Sequence, residues 1–210
     1  MPLRHKYKLH FSDRDFLFSF IASFLLLGVA LVANFYAGIY ATEQASNSVT
    51  DLILSNIPVL NIDGVFVYGA IAFWTFVIGL TFIDPKKIPF TIKSIALFTL
   101  IRSLFITLTH IGPFPLQAVI SSNLIDKFSF GGDLFFSGHV GLPFLLALIF
   151  WGNKKLRYVF IISSVLFGIV VLLAHFHYSI DVLSAYFITY TIFHIASVFF
   201  KKDLALFNRE

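Results

Sequence analysis

Six apolar stretches, each about as long as a membrane-crossing helix, take up most of this chain: about 16–41, 64–83, 89–111, 134–152, 157–175 and 179–200. A helix needs ~20 apolar residues to cross the hydrocarbon core of a bilayer, with a range of roughly 17–25. Runs of that length have few other solutions, so the predicted fold class is all-α, a polytopic membrane protein of six transmembrane helices. Composition agrees. Of 210 residues only 12% are charged, where a soluble domain carries about a quarter. The first stretch is too long and too cleanly flanked for a cleaved signal peptide, and is expected to tilt or to project past the membrane surface. The long connections are 42–63 and 112–133. The second, GPFPLQAVISSNLIDKFSFGGD, has room for a short amphipathic segment lying on the surface. No repeat or linker divides the chain, so one domain over residues 1–210 is expected.

The charges orient the bundle. Arg4, Lys6, Lys8 and Arg14 precede the first span. Lys86, Lys87 and Lys93 are assigned to the connection between spans 2 and 3. Lys154, Lys155 and Arg157 lie between spans 4 and 5, and Lys201, Lys202 and Arg209 follow the last. The alternate connections hold Glu43, Asp51, Asp63, Asp126 and Asp133, with Lys127 their single basic residue. This is the positive-inside pattern, and it predicts cytoplasmic N- and C-termini. The net charge of +4 therefore reflects membrane orientation and not a nucleic-acid surface. The chain has no Cys, which excludes disulfides and cysteine metal sites.

The polar residues that interrupt this pattern are the candidates for chemistry. His139 follows Ser137 and Gly138 at the start of span 4. His177 and Asp181 lie where spans 5 and 6 meet, on the same predicted extracytoplasmic side. The i, i+4 spacing places His177 and Asp181 on one face if the segment is helical. The carboxylate would then fix the imidazole tautomer and leave the second ring nitrogen as nucleophile or base. The alternative is structural: Ser179 caps span 6, and Asp181 sits in a first turn favoured by the helix dipole. Ser137-Gly138-His139 has the same two readings, with Ser137 as cap and His139 at the interface. Pro143 cannot donate to the His139 carbonyl, which leaves a free acceptor or a kink. Asp133 either orients His139 or is a solvated loop acid.

Arg102 lies well inside span 3. A charge at mid-membrane costs at least ~2.5–3.5 kcal/mol on insertion scales, so it is a functional candidate by default. Its alternatives are a structural ion pair and snorkelling toward the outer surface. Ser103, Thr107 and His110 share an i, i+4, i+7 face adjoining Arg102, which makes span 3 polar-striped. His5, His10, His175 and His194 read as structural.

GGDLFFSGHV (131–140) and HYSIDVLSAYF (177–187) resemble two signature motifs of the sphingomyelin synthase family, part of the wider type 2 phosphatidic acid phosphatase superfamily. Gly131, Val140, Ser179 and Phe187 depart from the family's Cys, Thr, Thr and Tyr. None of these changes removes an acid, base or nucleophile. RSLFITLTHIGPFP also resembles the family's Arg-initiated motif, and IPVLNID loosely resembles its Pro-rich one. The resemblance covers about residues 58–190. It implies that His177 attacks the lipid phosphorus, that Asp181 supports it, and that His139 protonates the leaving alkoxide and later accepts the proton of the incoming alcohol. Tyr178 and Ser137-Gly138, inside the motifs, join Asp133 and Arg102 as substrate-side or supporting candidates. The resemblance implies no metal and no cofactor; the partners are a phospholipid donor and a lipid alcohol acceptor.

The wider superfamily's phosphatases carry further cations. Here K-x6-R-P does not occur, Phe136 precedes the S-G-H triplet, and Val171 stands where a second arginine would be. Those cations would clamp a monoester of nearly two negative charges, whereas a diester carries one. Arg102 as the single nearby cation favours the diester. The expected function is transfer of a phospho-headgroup to a lipid alcohol at the extracytoplasmic face. The alternatives are hydrolysis by the same residues, as in a lipid phosphatase or phospholipase C, and a non-enzymatic haem or metal protein using His139, His177 and His110.

Overall fold

A computed structural model of the chain describes residues 3–118 and 134–209. The described residues form α1 (Leu3–Phe11), α2 (Arg14–Glu43), α3 (Asp63–Ile83), α4 (Ile88–Leu108), α5 (Gly138–Ile149), α6 (Lys154–Leu173), α7 (Ser179–Phe199) and α8 (Lys201–Phe207), with two short 3-10 turns. The protein is all-helical, and α2, α3, α4, α6 and α7 are long and apolar enough to cross a membrane.

The stretch at 134–152 is shorter than its sequence predicts. Its helix, α5, has 12 residues, about 18 Å of rise at ~1.5 Å per residue. Apolar composition alone could not show this. Leu134–Ser137 precede the helix without joining it, and the chain turns at Phe150. Phe207 of α8 packs beneath that end, 5.3 Å from Phe150 between ring centres. Neither α1 nor α8 was foreseen from the sequence; each is read there as a basic tail.

Small residues set the packing. Ser23, Ala30, Ala37 and Ala41 form the buried seam of α2, with Ala37 and Ala41 packed on Ile106 of α4. Small side chains let two backbones approach, the usual basis of helix association in lipid. The opposite side of α2 shows Phe18, Leu25, Val29 and Tyr36 outward, as a bilayer-facing surface should. Inside α5, a Cβ on Gly141 would stand 2.7 Å from the Phe98 ring and 2.8 Å from Thr189 Oγ1. Both neighbours are buried, so neither can yield easily. Gly141→Ala is therefore expected to lower detergent-extracted stability by about 1–3 kcal/mol through overpacking. A thermal melt matching wild type would show that α4, α5 and α7 meet less closely.

Backbone bonds between loops close one end of the bundle. Ser46 N donates to His110 O (2.8 Å), Leu60 N to Leu173 O (2.8 Å) and Ala118 N to Ala174 O (3.0 Å). The other end is held by side chains. Tyr7 OH donates to Phe82 O at 2.9 Å. Lys93, expected in a loop, lies within α4 and pairs with Asp203 of α8 at 2.7 Å, its ammonium also donating to Ser19 of α2. A partly buried ammonium needs such a partner, and α8 brings the carboxylate back to it.

Candidate functional site

The starts of α5 and α7 meet at the loop-closed end. The chain leaves α6 through a Schellman arrangement: Phe176 N donates to Val171 O (2.9 Å) and His175 N to Leu172 O (3.0 Å). His175 takes the left-handed position usually given to glycine, with φ 58°. Its ring compensates by bonding through Nδ1 to Leu116 O at 3.0 Å.

This turn aims the next residues. His177 lies before α7, not on it, so it does not share a helical face with Asp181. Tyr178 is the extended N-cap residue, with φ −70° and ψ 157°. Asp181, three residues on, accepts the Tyr178 N–H through Oδ2 at 2.9 Å. His177 Nδ1 stands 3.5 Å from that same oxygen. The i, i+4 pair therefore forms by the chain folding back over the helix terminus. Nε2 is left as the ring nitrogen for chemistry.

Ser137 begins α5 with an extended backbone, yet its hydroxyl makes no cap bond. Its N–H donates to Asp181 O at 3.2 Å, which ties the two helix starts together. Arg102 of α4 donates through Nε to Phe136 O at 2.9 Å. The guanidinium lies against Gly138, where an added Cβ would be 3.4 Å from Nε. His139 is half-buried, its ring 4.4 Å from Phe66 and 6.0 Å from Phe167 between centres.

Buried polar atoms are rarely left unpaired. Here Ser137 Oγ, His177 Nδ1 and Asp181 Oδ1 are all buried without a hydrogen-bond partner. Their residues lie at the two joined helix starts, beside Arg102 and His139. Ser137 Oγ and Asp181 Oδ1 are thus open to a polar ligand, whereas His177 Nδ1 stands toward Asp181; polar atoms of Thr91, Ser94, His175 and Thr189 are also buried and unpaired.

Residues 131–198 match the PAP2 superfamily C-terminal family. The match supports the type 2 phosphatidic acid phosphatase superfamily, and with it a lipid phosphatase or phosphotransferase type of activity. It spans α5, α6 and nearly all of α7, the part of the chain that carries His139, His177 and Asp181. No curated protein and no solved structure matches the chain.

The superfamily-matched helices depend on a residue outside the match. Asp51, in the loop after α2, is buried. Its Oδ2 accepts from Ser179 N at 2.7 Å and from Ser179 Oγ at 2.8 Å. Its Oδ1 accepts from Ile53 N at 2.8 Å and Leu54 N at 3.0 Å. Burial alone would raise the Asp51 pKa; the hydrogen bonds from Leu54, Ser179 and Ile53 outweigh it and hold the carboxyl below its usual range. Ser179 is thus the first residue of α7 and a donor to Asp51, not the cap. Sequence reasoning counted Asp51 only as an outer-loop charge. Tyr178, a substrate-side candidate, is buried, donates to Gly112 O at 2.8 Å and accepts from Val49 N at 3.2 Å. It supports the site from beneath. Gly112 is needed there, because a Cβ would clash with Ser46 O at 2.1 Å.

Other candidates lie elsewhere. Asp133 and most of the expected amphipathic segment fall outside the described residues. His110 packs on Tyr40, 5.6 Å between centres, and bonds Thr107 O at 3.1 Å. Ser103 and Thr107 line an open groove of about 350 Å³ between α2 and α4, with their hydroxyls turned to carbonyls of their own helix. The polar stripe of α4 is thus internally satisfied. His5 and His10 lie on α1, and His194 bonds Tyr190 O within α7. Among the described residues no group of three His, Asp or Glu side chains is placed to hold a metal ion.

Proposed function

We propose that this chain is a lipid phosphotransferase that moves a phospho-headgroup from a phospholipid to a lipid alcohol through a phosphohistidine on His177. The observation that carries the reading is the Ser137 N to Asp181 O bond of 3.2 Å, because it brings the S-G-H and H-x3-D segments to one place. In the first step His177 Nε2 attacks the phosphorus. The bond to the diacylglycerol oxygen breaks, and His139 delivers a proton to that oxygen. In the second, the acceptor hydroxyl attacks, the P–N bond breaks, and His139 takes the hydroxyl proton. Asp181, 3.5 Å from His177 Nδ1, draws in its N–H as the reaction proceeds and compensates the positive charge that grows on the ring.

Diester specificity is supported by charge. The Arg102 guanidinium lies beside Gly138, with Nε 3.4 Å from where a Cβ there would stand. Val171, at the place of the second superfamily arginine, is buried in the apolar core. A substrate with one negative charge matches one guanidinium better than a dianion does. The proposed site faces outward on the positive-inside rule, because α5 and α7 begin at the end of the bundle away from the basic starts of α4 and α6; we read the chain as one domain.

Thin-layer chromatography of the purified protein tests this. Headgroup-labelled phosphatidylcholine, phosphatidylethanolamine and phosphatidylglycerol would each be supplied with and without ceramide or diacylglycerol. Label moving to the acceptor lipid is expected. Label released as a water-soluble phosphate ester whatever the acceptor would identify a hydrolase instead. Turnover of phosphatidic acid alone would overturn the diester assignment.

A further inference from the structure

We infer that Asp51 is a positioning residue for the His177–Asp181 pair, an inference that rests on the catalytic reading of that pair. The residues after His177 are pinned one by one. The Tyr178 N–H goes to Asp181 at 2.9 Å, and the Ser179 N–H goes to Asp51 at 2.7 Å. Two carboxylates thus take successive N–H groups of one turn. Ser179 Oγ adds a second bond to Asp51, and Tyr178 OH anchors the same turn to Gly112.

Asp51 is itself fixed. Its second oxygen is held by Ile53 and Leu54, and Leu54 packs in one buried cluster with Tyr178 and Leu134. The carboxylate is therefore a rigid post supplied by the α2–α3 loop. It meets two of the needs of the α7 N-terminus: a partner for an unsatisfied N–H and negative charge at the positive end of the dipole. His177 lies before the helix, so no helical hydrogen bond sets its orientation. Its approach to Asp181 rests on the hydrogen-bonded backbone on its C-terminal side. Loss of the Asp51 bonds frees Ser179 and lets the His177 ring leave the carboxylate.

The test uses Asp51→Asn, with Ser179→Ala as a second variant and Ser179→Thr as the hydroxyl-retaining control. Asn keeps the size but has one acceptor oxygen, so either Ser179 or the Ile53–Leu54 pair loses its partner. The first readout is histidine 15N NMR of the full-length protein in detergent, with the His177 signal assigned by its absence in His177→Asn. Wild type is expected to show a single tautomer protonated on Nδ1. Asp51→Asn is expected to show a mixture, Ser179→Ala a smaller change and Ser179→Thr none. The second readout is turnover of labelled phosphatidylcholine, or of whichever labelled phospholipid the wild type consumes. There Asp51→Asn should lower kcat by about ten- to a hundredfold at nearly constant KM, the effect of a small misplacement of a reacting group. A wild-type His177 signal and kcat in folded Asp51→Asn would overturn the inference, as would lowered thermal stability with the tautomer unchanged. If Asp51→Asn does not fold, an unaltered His177 signal in Ser179→Ala would do the same. The spectrum needs no substrate. A shifted tautomer in a protein that turns over no phospholipid would therefore sink the phosphotransfer reading and uphold the positioning role.

Discussion

Replacement of His177 by Ala is expected to abolish the phosphoenzyme and to lower turnover roughly 10,000-fold or more, as losses of a covalent nucleophile do. The fold should survive. Among the described residues His177 Nδ1 gives up a 3.5 Å approach to Asp181, and the turn around it is held by Tyr178, Ser179 and Asp51. His139→Ala should behave differently. On the proposed mechanism it removes the acid that protonates the leaving oxygen, so the phosphoenzyme should form slowly but still form. Acid-labile, base-stable label trapped on the protein after brief exposure to 32P-labelled phospholipid distinguishes the two. Wild-type labelling in His177→Ala would move the nucleophile elsewhere. Equal and complete loss in both variants would mean that His139 is needed for the nucleophile itself.

The residues of this prediction were legible in the sequence because their spacing is local. Ser137 to His139 and His177 to Asp181 each lie within one turn of chain, and each interrupts an apolar run where polarity is costly. The way they meet was not legible. The i, i+4 interval suggested one helical face, whereas the left-handed turn at His175 puts His177 ahead of the helix. Asp51 escaped because its contact with Ser179 spans 128 residues, and a loop aspartate looks solvated until the fold buries it. The same holds for Lys93, whose partner sits on α8, an element hidden in a tail that reads as charge alone. The five long helices were legible because length and hydropathy suffice to predict them. The brevity of α5 was not, because hydropathy counts Leu134, Phe135 and Phe136 whether or not they are helical.

Arg102 gives the second large effect, and the structure alters what its loss should do. Arg102→Leu is expected to lower kcat by about 100- to 1,000-fold, the scale seen when one donor to a developing anion is removed. Removing the charge eases insertion of α4 by at least ~2.5–3.5 kcal/mol on insertion scales. The gain is offset in the folded protein. Arg102 Nε donates to Phe136 O at 2.9 Å, and Phe136 is fully buried. Leucine leaves that carbonyl without this donor, at a cost of about 1–3 kcal/mol. Since Phe136 immediately precedes Ser137, the penalty falls on the chain that presents Ser137 and His139. Arg102→Lys separates the two roles. The ammonium retains charge near Gly138 but cannot reproduce the planar fork that serves a carbonyl on one edge and phosphate oxygens on another. Expression in membranes should therefore be normal for both variants, with kcat reduced in both and more so in Leu. Thermal melts beside initial rates decide the matter. A folded Arg102→Leu protein with wild-type kcat would confine Arg102 to holding Phe136, and the phosphate would then rest on the two histidines and backbone donors. A Lys variant as stable as wild type but slowed at least tenfold would assign the rate to the guanidinium's geometry and not to its charge.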